Sequence, residues 1–195
     1  AILVHTVTAW IFGLQIAREG WHSAIMGPLF VASAMDSGLA LLMLVLGGLN
    51  KSGWFKTEKK LMTSLAGLLA TCVAIDAFLV GCEILTMAYP GAAGAETLAV
   101  MTSGVTAPFF WAEIVLGLLI PFCILVFARN RENMGLVMLA SACIVIGVFF
   151  AIAHKNEDKE KARKMIVNYF IGLVVIFAIL VACPYLIRGI AALVT

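Results

Sequence analysis

Apolar stretches long enough to cross a lipid bilayer dominate the chain. Six of them are apparent, at about 1–17, 22–49, 61–88, 106–128, 134–153 and 166–187. A spanning helix needs roughly 20 apolar residues. Since a helix bonds its own backbone groups, such runs fold as helices in lipid. The sequence therefore predicts an all-α, polytopic transmembrane helical bundle with about five to six membrane segments.

The composition supports a membrane protein and argues against nucleic-acid binding. Hydrophobic residues make up 63% of the 195 positions and charged residues only 12%. Soluble domains carry about a quarter charged residues. The formal charge is +2, and the basic residues are confined to short loops. The chain starts at Ala1 in an already apolar run without a preceding basic region, so we expect an incomplete N-terminus rather than a signal peptide.

Positive charge is unevenly distributed over the loops. Residues 50–60 contain four Lys and 129–133 two Arg, whereas 18–20 contain one Arg and 89–104 none. Cytoplasmic loops carry the excess of Lys and Arg. We therefore expect a multi-pass protein of the cytoplasmic (inner) membrane, with 50–60 and 129–133 in the cytoplasm.

The C-terminal part breaks this charge pattern. Strict alternation would place 154–164, with five Lys and Arg, on the outer side. We therefore divide the chain into a transmembrane helical bundle, 1–150, and a charged linker with a final apolar helix, 151–195.

Four acids lie within the apolar segments: Asp36, Asp76, Glu83 and Glu113. A charge in lipid costs several kcal/mol unless it faces a bundle interior or water. Asp76 and Glu83 are seven residues apart, which returns them to nearly the same helix face. The four acids are therefore expected to face the interior of the bundle or water.

Simpler interpretations of these residues remain open. Asp76 could bond a hydroxyl on a neighbouring helix, and Glu83 could lie at the membrane interface. Glu113 could be an early-turn acid stabilised by the helix dipole, and His22 an interfacial polar group beside Trp21.

His5 and Asp36 are harder to explain in this way, because both lie away from obvious water. A carboxylate and an imidazole can together accept and relay protons.

The sequence offers no pattern for a bound redox metal. Only His5 and His22 lie in apolar sequence, and we expect them to differ in depth by about a helix, so they do not form a haem pair. The five cysteines occur singly inside apolar runs, without the spacing of a zinc site or an iron–sulfur cluster. We expect no haem or cluster on this chain; if electrons pass through the protein, an exchangeable quinone carries them.

Three stretches carry a resemblance to a known family. The segment HTVTAWIFGLQIAREGWHSAIMGPLFVASAMDSGLALLMLVL (5–46) resembles the NrfD/PsrC-type quinone-interacting membrane subunits, particularly the DsrP-like and Hdr-linked menaquinol subunits. The segments FFWAEIVLGLLIPFCILVF (109–127) and GLVMLASACIVIGVFF (135–150) are similar to the last helices of that family. The resemblance covers about residues 1–150.

This resemblance implies a function and roles for particular residues. Such proteins are membrane subunits of respiratory oxidoreductase complexes that exchange electrons with a ferredoxin-like iron–sulfur subunit and bind menaquinone. By analogy, His5 and Asp36 would be the catalytic pair at the quinol, with Trp21 and His22 also in the binding site. Asp76, Glu83 and Glu113 would form the proton path.

The C-terminal region has a different resemblance and suggests other functions. Residues from about 134 to 195 resemble a TrbC-like pilin hairpin, so a pilin-like structural subunit of a membrane-derived filament or DNA-transfer apparatus is one alternative. A proton- or ion-coupled transporter is another, although inverted repeats are not visible. The buried acids favour the redox subunit, since a filament has no evident need for them.

Overall fold

A computed structural model describes residues 2–14, 23–53, 56–89, 91–104 and 107–154, with a few positions between 164 and 175. The helices are α1 (Ile2–Gly13), α2 (Met26–Lys51), α3 (Lys59–Ala88), α4 (Ala92–Ser103), α5 (Ala107–Leu125), α6 (Ala128–Arg131) and α7 (Met134–His154). These ranges contain no β-strand. The predicted all-α class is confirmed.

Four of the described helices are long and apolar enough to cross a membrane: α2, α3, α5 and α7, the last as far as Ala151. The protein is therefore a multi-pass integral membrane protein. Helix α1 has 12 residues, fewer than the roughly 17 that a span requires. Most of the segment 166–187 lies outside the described residues, so the count of five to six stays a prediction.

The segment 89–104 was expected to be a loop, but most of it forms α4. Alanine has the highest helix propensity, which explains the helix. Gly91 precedes it with φ of 140°, a conformation open to glycine, and so lets the chain turn away from α3. With 12 residues α4 is too short to span, and the alternation of sides is preserved.

The four spanning helices form a closed ring. Helix α2 packs against α3 and α7, while α5 packs against α7 and α3. The contact between α5 and α7 brings the backbones of Gly117 and Gly147 together, and α2 meets α7 where Gly47 touches Met138. Small residues at such contacts allow close helix packing in lipid, where dispersion rather than the hydrophobic effect holds helices together.

The turn between α5 and α7 is fixed by side chains that cap the end of α5. Arg131 donates from Nε to the Leu125 carbonyl (2.6 Å) and from Nη2 to the Val126 carbonyl (3.0 Å). Asn130 donates to the Ile124 carbonyl at 3.0 Å. These bonds satisfy carbonyls that a helix end leaves open. Arg131 thereby lies beside the first turns of α3, so the two basic turns share one end of the bundle.

The half of the bundle nearest these basic turns is filled by apolar side chains. Ala40 and Met43 on α2 meet Leu69 and Val73 on α3 and Ile144 on α7 in one buried cluster. Since the cluster is closed on all sides by helices, it separates the basic end from the middle of the bundle.

Ser141 on α7 is a polar residue buried beside this cluster. It is fully buried, and its Oγ has no hydrogen-bond partner among the described residues. A buried hydroxyl without a partner costs about 1–3 kcal/mol. We therefore expect Ser141→Ala to raise the free energy of unfolding by about 1 kcal/mol, measured by denaturant titration in mixed micelles. Ser103→Ala is the control, because Ser103 is exposed and bonds the Ala99 carbonyl; a destabilised Ser141→Ala would contradict the prediction.

Candidate functional site

Three of the four acids line one small cavity in the middle of the bundle. Asp36 comes from α2, Asp76 from α3 and Glu113 from α5, and Ser33 completes the polar part of the wall. The cavity holds about 20 Å³. A single water needs about 10–15 Å³ measured in this way. The site is therefore an interior chamber of water size, surrounded by three carboxyl groups.

Asp36 occupies the most enclosed position. Its side chain is 2% exposed, and its Oδ1 has no hydrogen-bond partner among the described residues. The carboxyl groups of Asp36 and Asp76 both line the cavity and lie close enough to interact. Since a hydrogen bond between two carboxyl groups requires a proton on one of them, this pair can hold a proton and pass it between two helices.

The surroundings of Asp36 follow from its sequence. Ser33 and Ser37 occupy neighbouring turns, and the Ser37 Oγ donates to the Ser33 carbonyl at 2.5 Å. A serine that bonds its own helix in this way needs no partner elsewhere in lipid. The small side chains leave room for the carboxyl of Asp36 to reach α3.

Asp76 and Glu83 are both buried on one face of α3, at 5% and 7% exposure. Asp76 lines the cavity, whereas Glu83 lies two turns further on, about 10 Å at 1.5 Å per residue, towards Ala88. The two acids therefore mark a line from the chamber to the end of the bundle opposite the basic turns. The structure brings Asp36, Asp76 and Glu113 together and leaves Glu83 on this line.

Glu113 is placed by an irregular part of α5. Residues Glu113–Leu119 form a π-helical turn, and Ile120 donates its N–H to the Val115 carbonyl. Pro121 follows directly. A proline has no N–H to donate, and its ring clashes with the carbonyl four residues earlier, here Gly117. The wider turn relieves this clash, and such turns are frequent at functional sites.

The chamber lies near mid-membrane. At 1.5 Å per residue, Asp36 is about 15 Å from the start of α2 and about 22 Å from its end. The apolar cluster around Met43 and Val73 lies between the chamber and the basic end. Buried acids therefore continue from the chamber towards the opposite end, whereas apolar side chains fill the bundle in the direction of the basic turns.

His5 lies on α1, and the packing of α1 on α2 sets its depth. Gly27 of α2 is in contact with the indole of Trp10. Because the helices run antiparallel at 1.5 Å per residue, the backbone of His5 is level with Ala32, about 6 Å in depth from Asp36. The His5 side chain, Trp21 and His22 lie outside the described part of the chain, so their roles stay predictions.

A second, larger groove opens where α1 meets the start of α2. Its walls are Trp10, Gly13 and Leu14 from α1 and Ser23 and Ala24 before α2. Its volume is about 560 Å³, within the 300–1,000 Å³ of small-molecule sites. The start of α2, beside this groove, is about 15 Å in depth from Asp36 at 1.5 Å per residue. The two spaces are therefore distinct, and only the groove is large enough for a ring.

The polysulphide reductase, NrfD family model matches residues 1–155 of the chain. The chain belongs to the NrfD family. The match ends next to His154, the last residue of α7. The NrfD region therefore contains all the described helices and the chamber between them.

Curated relatives of this NrfD chain are named as subunits of reductases and oxidoreductases. It is 30% identical over 151 residues to a Halobacterium salinarum protein provisionally named as a dimethyl sulfoxide reductase membrane subunit, covering 77% of this chain and 35% of that protein. It is 28% identical to the Hdr-like menaquinol oxidoreductase integral membrane subunit of Archaeoglobus fulgidus, with 72% and 36% covered. It is also 28% identical to a selenate reductase subunit of Mesobacillus selenatarsenatis, with 76% and 34% covered. The chain spans about a third of the length of these relatives.

Of the two spaces described above, one is large enough for a quinone ring and the other is not. The chamber at Asp36, at about 20 Å³, is too small for a quinone ring, whereas the α1–α2 groove has the required size. Within the described helices, no cluster of three His, Cys, Asp or Glu residues is arranged for a metal ion. The chamber therefore suits proton transfer rather than direct binding of the ring.

Sequence reasoning missed two features of this site. It did not anticipate the π-helical turn or the contact between Gly117 and Gly147 that closes the chamber. Pro121, four residues after Gly117, was the signal for the turn. The glycine contact joins two distant helices and has no local signal.

Proposed function

We propose that this NrfD chain handles quinone in the membrane subunit of a respiratory oxidoreductase, and that its carboxyl chamber takes up protons released from menaquinol. The observation that carries the proposal is the convergence of Asp36, Asp76 and Glu113 from three helices on one water-sized cavity. Intramembrane acids that face each other typically serve proton or ion movement. The relative named as a menaquinol oxidoreductase subunit supports the choice of quinone.

Quinol oxidation releases two protons and two electrons, and these need different acceptors. The electrons pass to a partner, for which we propose a ferredoxin-like iron–sulfur subunit of the same complex. The protons pass to Asp36, whose buried Oδ1 is open to accept a hydrogen bond. A positioned carboxylate typically accelerates such a transfer about 10²–10⁴-fold.

In this proposal the quinone enters by the α1–α2 groove, which is large enough for the ring, and the quinol hydroxyl approaches the chamber from the α1 side. His5, whose backbone is near the depth of Asp36, orients the hydroxyl of the quinol towards the carboxyl. Trp21 and His22 belong to the entrance, because they directly precede Ser23 at the wide α1–α2 groove. Side chains with an apolar body and a polar edge suit this interface position.

The proton then moves along α3. Asp36 hands it to Asp76, which lines the same cavity, and Glu83 receives it two turns further on. Glu113 holds a second proton across the water-sized space. With the basic turns in the cytoplasm, as the charge distribution favours, the route leads to the outer face of the cytoplasmic membrane.

The first test is the binding of a quinol analogue to the purified complex, followed by fluorescence quenching. We expect saturable binding to the wild type and about tenfold weaker binding, worth about 1.4 kcal/mol, to Asp36→Asn. The amide keeps the size of the carboxylate but cannot accept the proton of the quinol. Glu96→Gln on α4 is the matched control, because Glu96 is an exposed acid that does not line the chamber.

Two results would contradict the proposal. Equal binding by wild type and Asp36→Asn would remove Asp36 from the site. Absence of saturable binding in all three proteins, with the assembly intact, would favour the pilin-like structural alternative.

A further inference from the structure

A charged groove at the basic end of the bundle is separate from the quinone chemistry. It lies between the first turns of α3 and the turn after α6, with Lys59, Lys60 and Gly67 on one wall and Arg131 and Glu132 on the other. Its volume is about 560 Å³. Three cations and one acid give it a net positive charge, so it favours an anion.

The two lysines lie at the positive end of a helix dipole. Lys59 and Lys60 occupy the first turn of α3, where the N-cap Glu58 is the adjacent acid. The positive end of the helix dipole repels cations placed there. A bound anion would offset this repulsion.

The guanidinium of Arg131 is held in place on the opposite wall. Its Nε and Nη2 bond the end of α5, and its Nη1 faces Gly67 of α3. A Cβ at Gly67 would be 3.6 Å from this Nη1, an ordinary contact. The glycine therefore keeps open a space in front of a fixed cation, and a larger side chain would fill it.

Apolar surface continues from the groove along α3. Leu61 and Leu68 are 51% and 48% exposed on a helix that spans the membrane. An occupant with a charged head and an apolar tail would satisfy both parts of this surface. An acidic protein segment would satisfy only the first part.

We propose that this groove binds the phosphate headgroup of an anionic phospholipid, which joins α3 to the α5–α7 turn. Lys59 and Lys60 supply charge from one side, and Arg131 supplies a fixed planar donor from the other. Basic side chains near an anionic lipid surface each contribute enough for about a fivefold change in affinity. The acyl chains lie along the exposed leucines of α3.

The test is lipid retention by the full membrane protein in neutral phosphatidylcholine nanodiscs that contain a small fraction of phosphatidylglycerol. Native mass spectrometry counts the phosphatidylglycerol that stays bound. We expect one retained lipid on the wild type and roughly 20-fold weaker retention by the double variant Lys59→Gln/Lys60→Gln. The matched control is Lys51→Gln/Lys56→Gln, which removes the same charge from the same end outside the groove and should change retention less than about threefold.

A third variant tests whether the open space of the groove, apart from its charge, is needed for binding. Gly67→Leu fills the space without altering any charge, and as a Gly replacement within a helix it does not weaken α3. We expect it to lose the bound lipid as well.

Three outcomes would overturn the proposal. Equal loss of retained phosphatidylglycerol from the two double lysine variants would show a general attraction between the basic end and anionic lipid. Full retention of the lipid by Gly67→Leu would show that the groove is not the binding site. Displacement of the lipid by an equal concentration of inorganic phosphate or of a polyglutamate peptide would show that the occupant is a free phosphate or an acidic chain.

Discussion

Replacing Asp36 by Asn is expected to lower quinol oxidation by the assembled complex about 100-fold or more, while the complex still assembles. The carboxyl is 2% exposed and is the group best placed to receive a proton in the chamber. Loss of a positioned base typically costs about 10²–10⁴-fold in rate. Assembly survives because the amide has the size of the carboxyl and can donate a hydrogen bond to Asp76. The measurement is quinol turnover in membranes, normalised to the amount of complex.

The placement of Asp36 and Asp76 in one cavity leads to a second expectation from the same assay. If the two carboxyl groups act as one proton-holding unit, Asp76→Asn alone lowers turnover strongly, and the double variant is little worse than either single variant. If the two carboxyl groups acted independently, the fold-losses in turnover of the two single variants would multiply in the double variant. Glu96→Gln should retain full turnover, because Glu96 is an exposed acid on α4. Wild-type turnover in Asp36→Asn would contradict the proton-acceptor role.

Much of the fold followed from the sequence because the bilayer leaves few choices. The boundaries expected for the long segments agree with α2, α3, α5 and α7 to within a few residues. A span of about 20 apolar residues is a strong local signal. Helix α4 was missed for the opposite reason, because 12 residues rich in Ala and Gly have weak periodicity and no length constraint. Its alanines decide the conformation by propensity alone.

The site was only partly accessible from the sequence. The cost of an acid in lipid was enough to select Asp36, Asp76 and Glu113. Their meeting in one chamber depends on the angles at which three helices pack, and these are set by contacts such as Gly117 with Gly147. Two residues on one face of a helix need not belong to one site. Glu83 shares a face of α3 with Asp76 but lies two turns further along, outside the lining of the cavity.

The glycine contact between α5 and α7 leads to the largest expected change in stability. A Cβ on Gly147 would overlap the backbone of Gly117, and no side-chain rotation can remove the overlap. Gly147→Leu must therefore separate the two helices and open the wall of the chamber. Overpacking in a core costs about 1–3 kcal/mol and more where the neighbours cannot move. We expect a loss of about 3 kcal/mol or more in the free energy of unfolding, measured by denaturant titration in mixed micelles.

The matched control for this variant is Gly38→Leu on α2. Gly38 is exposed, and a Cβ there would have no atom within 4 Å. The same substitution should therefore be neutral or stabilise the protein by up to about 1 kcal/mol, through the higher helix propensity of leucine. Because Gly117 and Gly147 both line the chamber, Gly147→Leu should also lose quinol turnover, whereas Gly38→Leu should keep it. Equal stability of the two variants would mean that α5 and α7 do not pack through their glycines, and the chamber would then lack its closing wall.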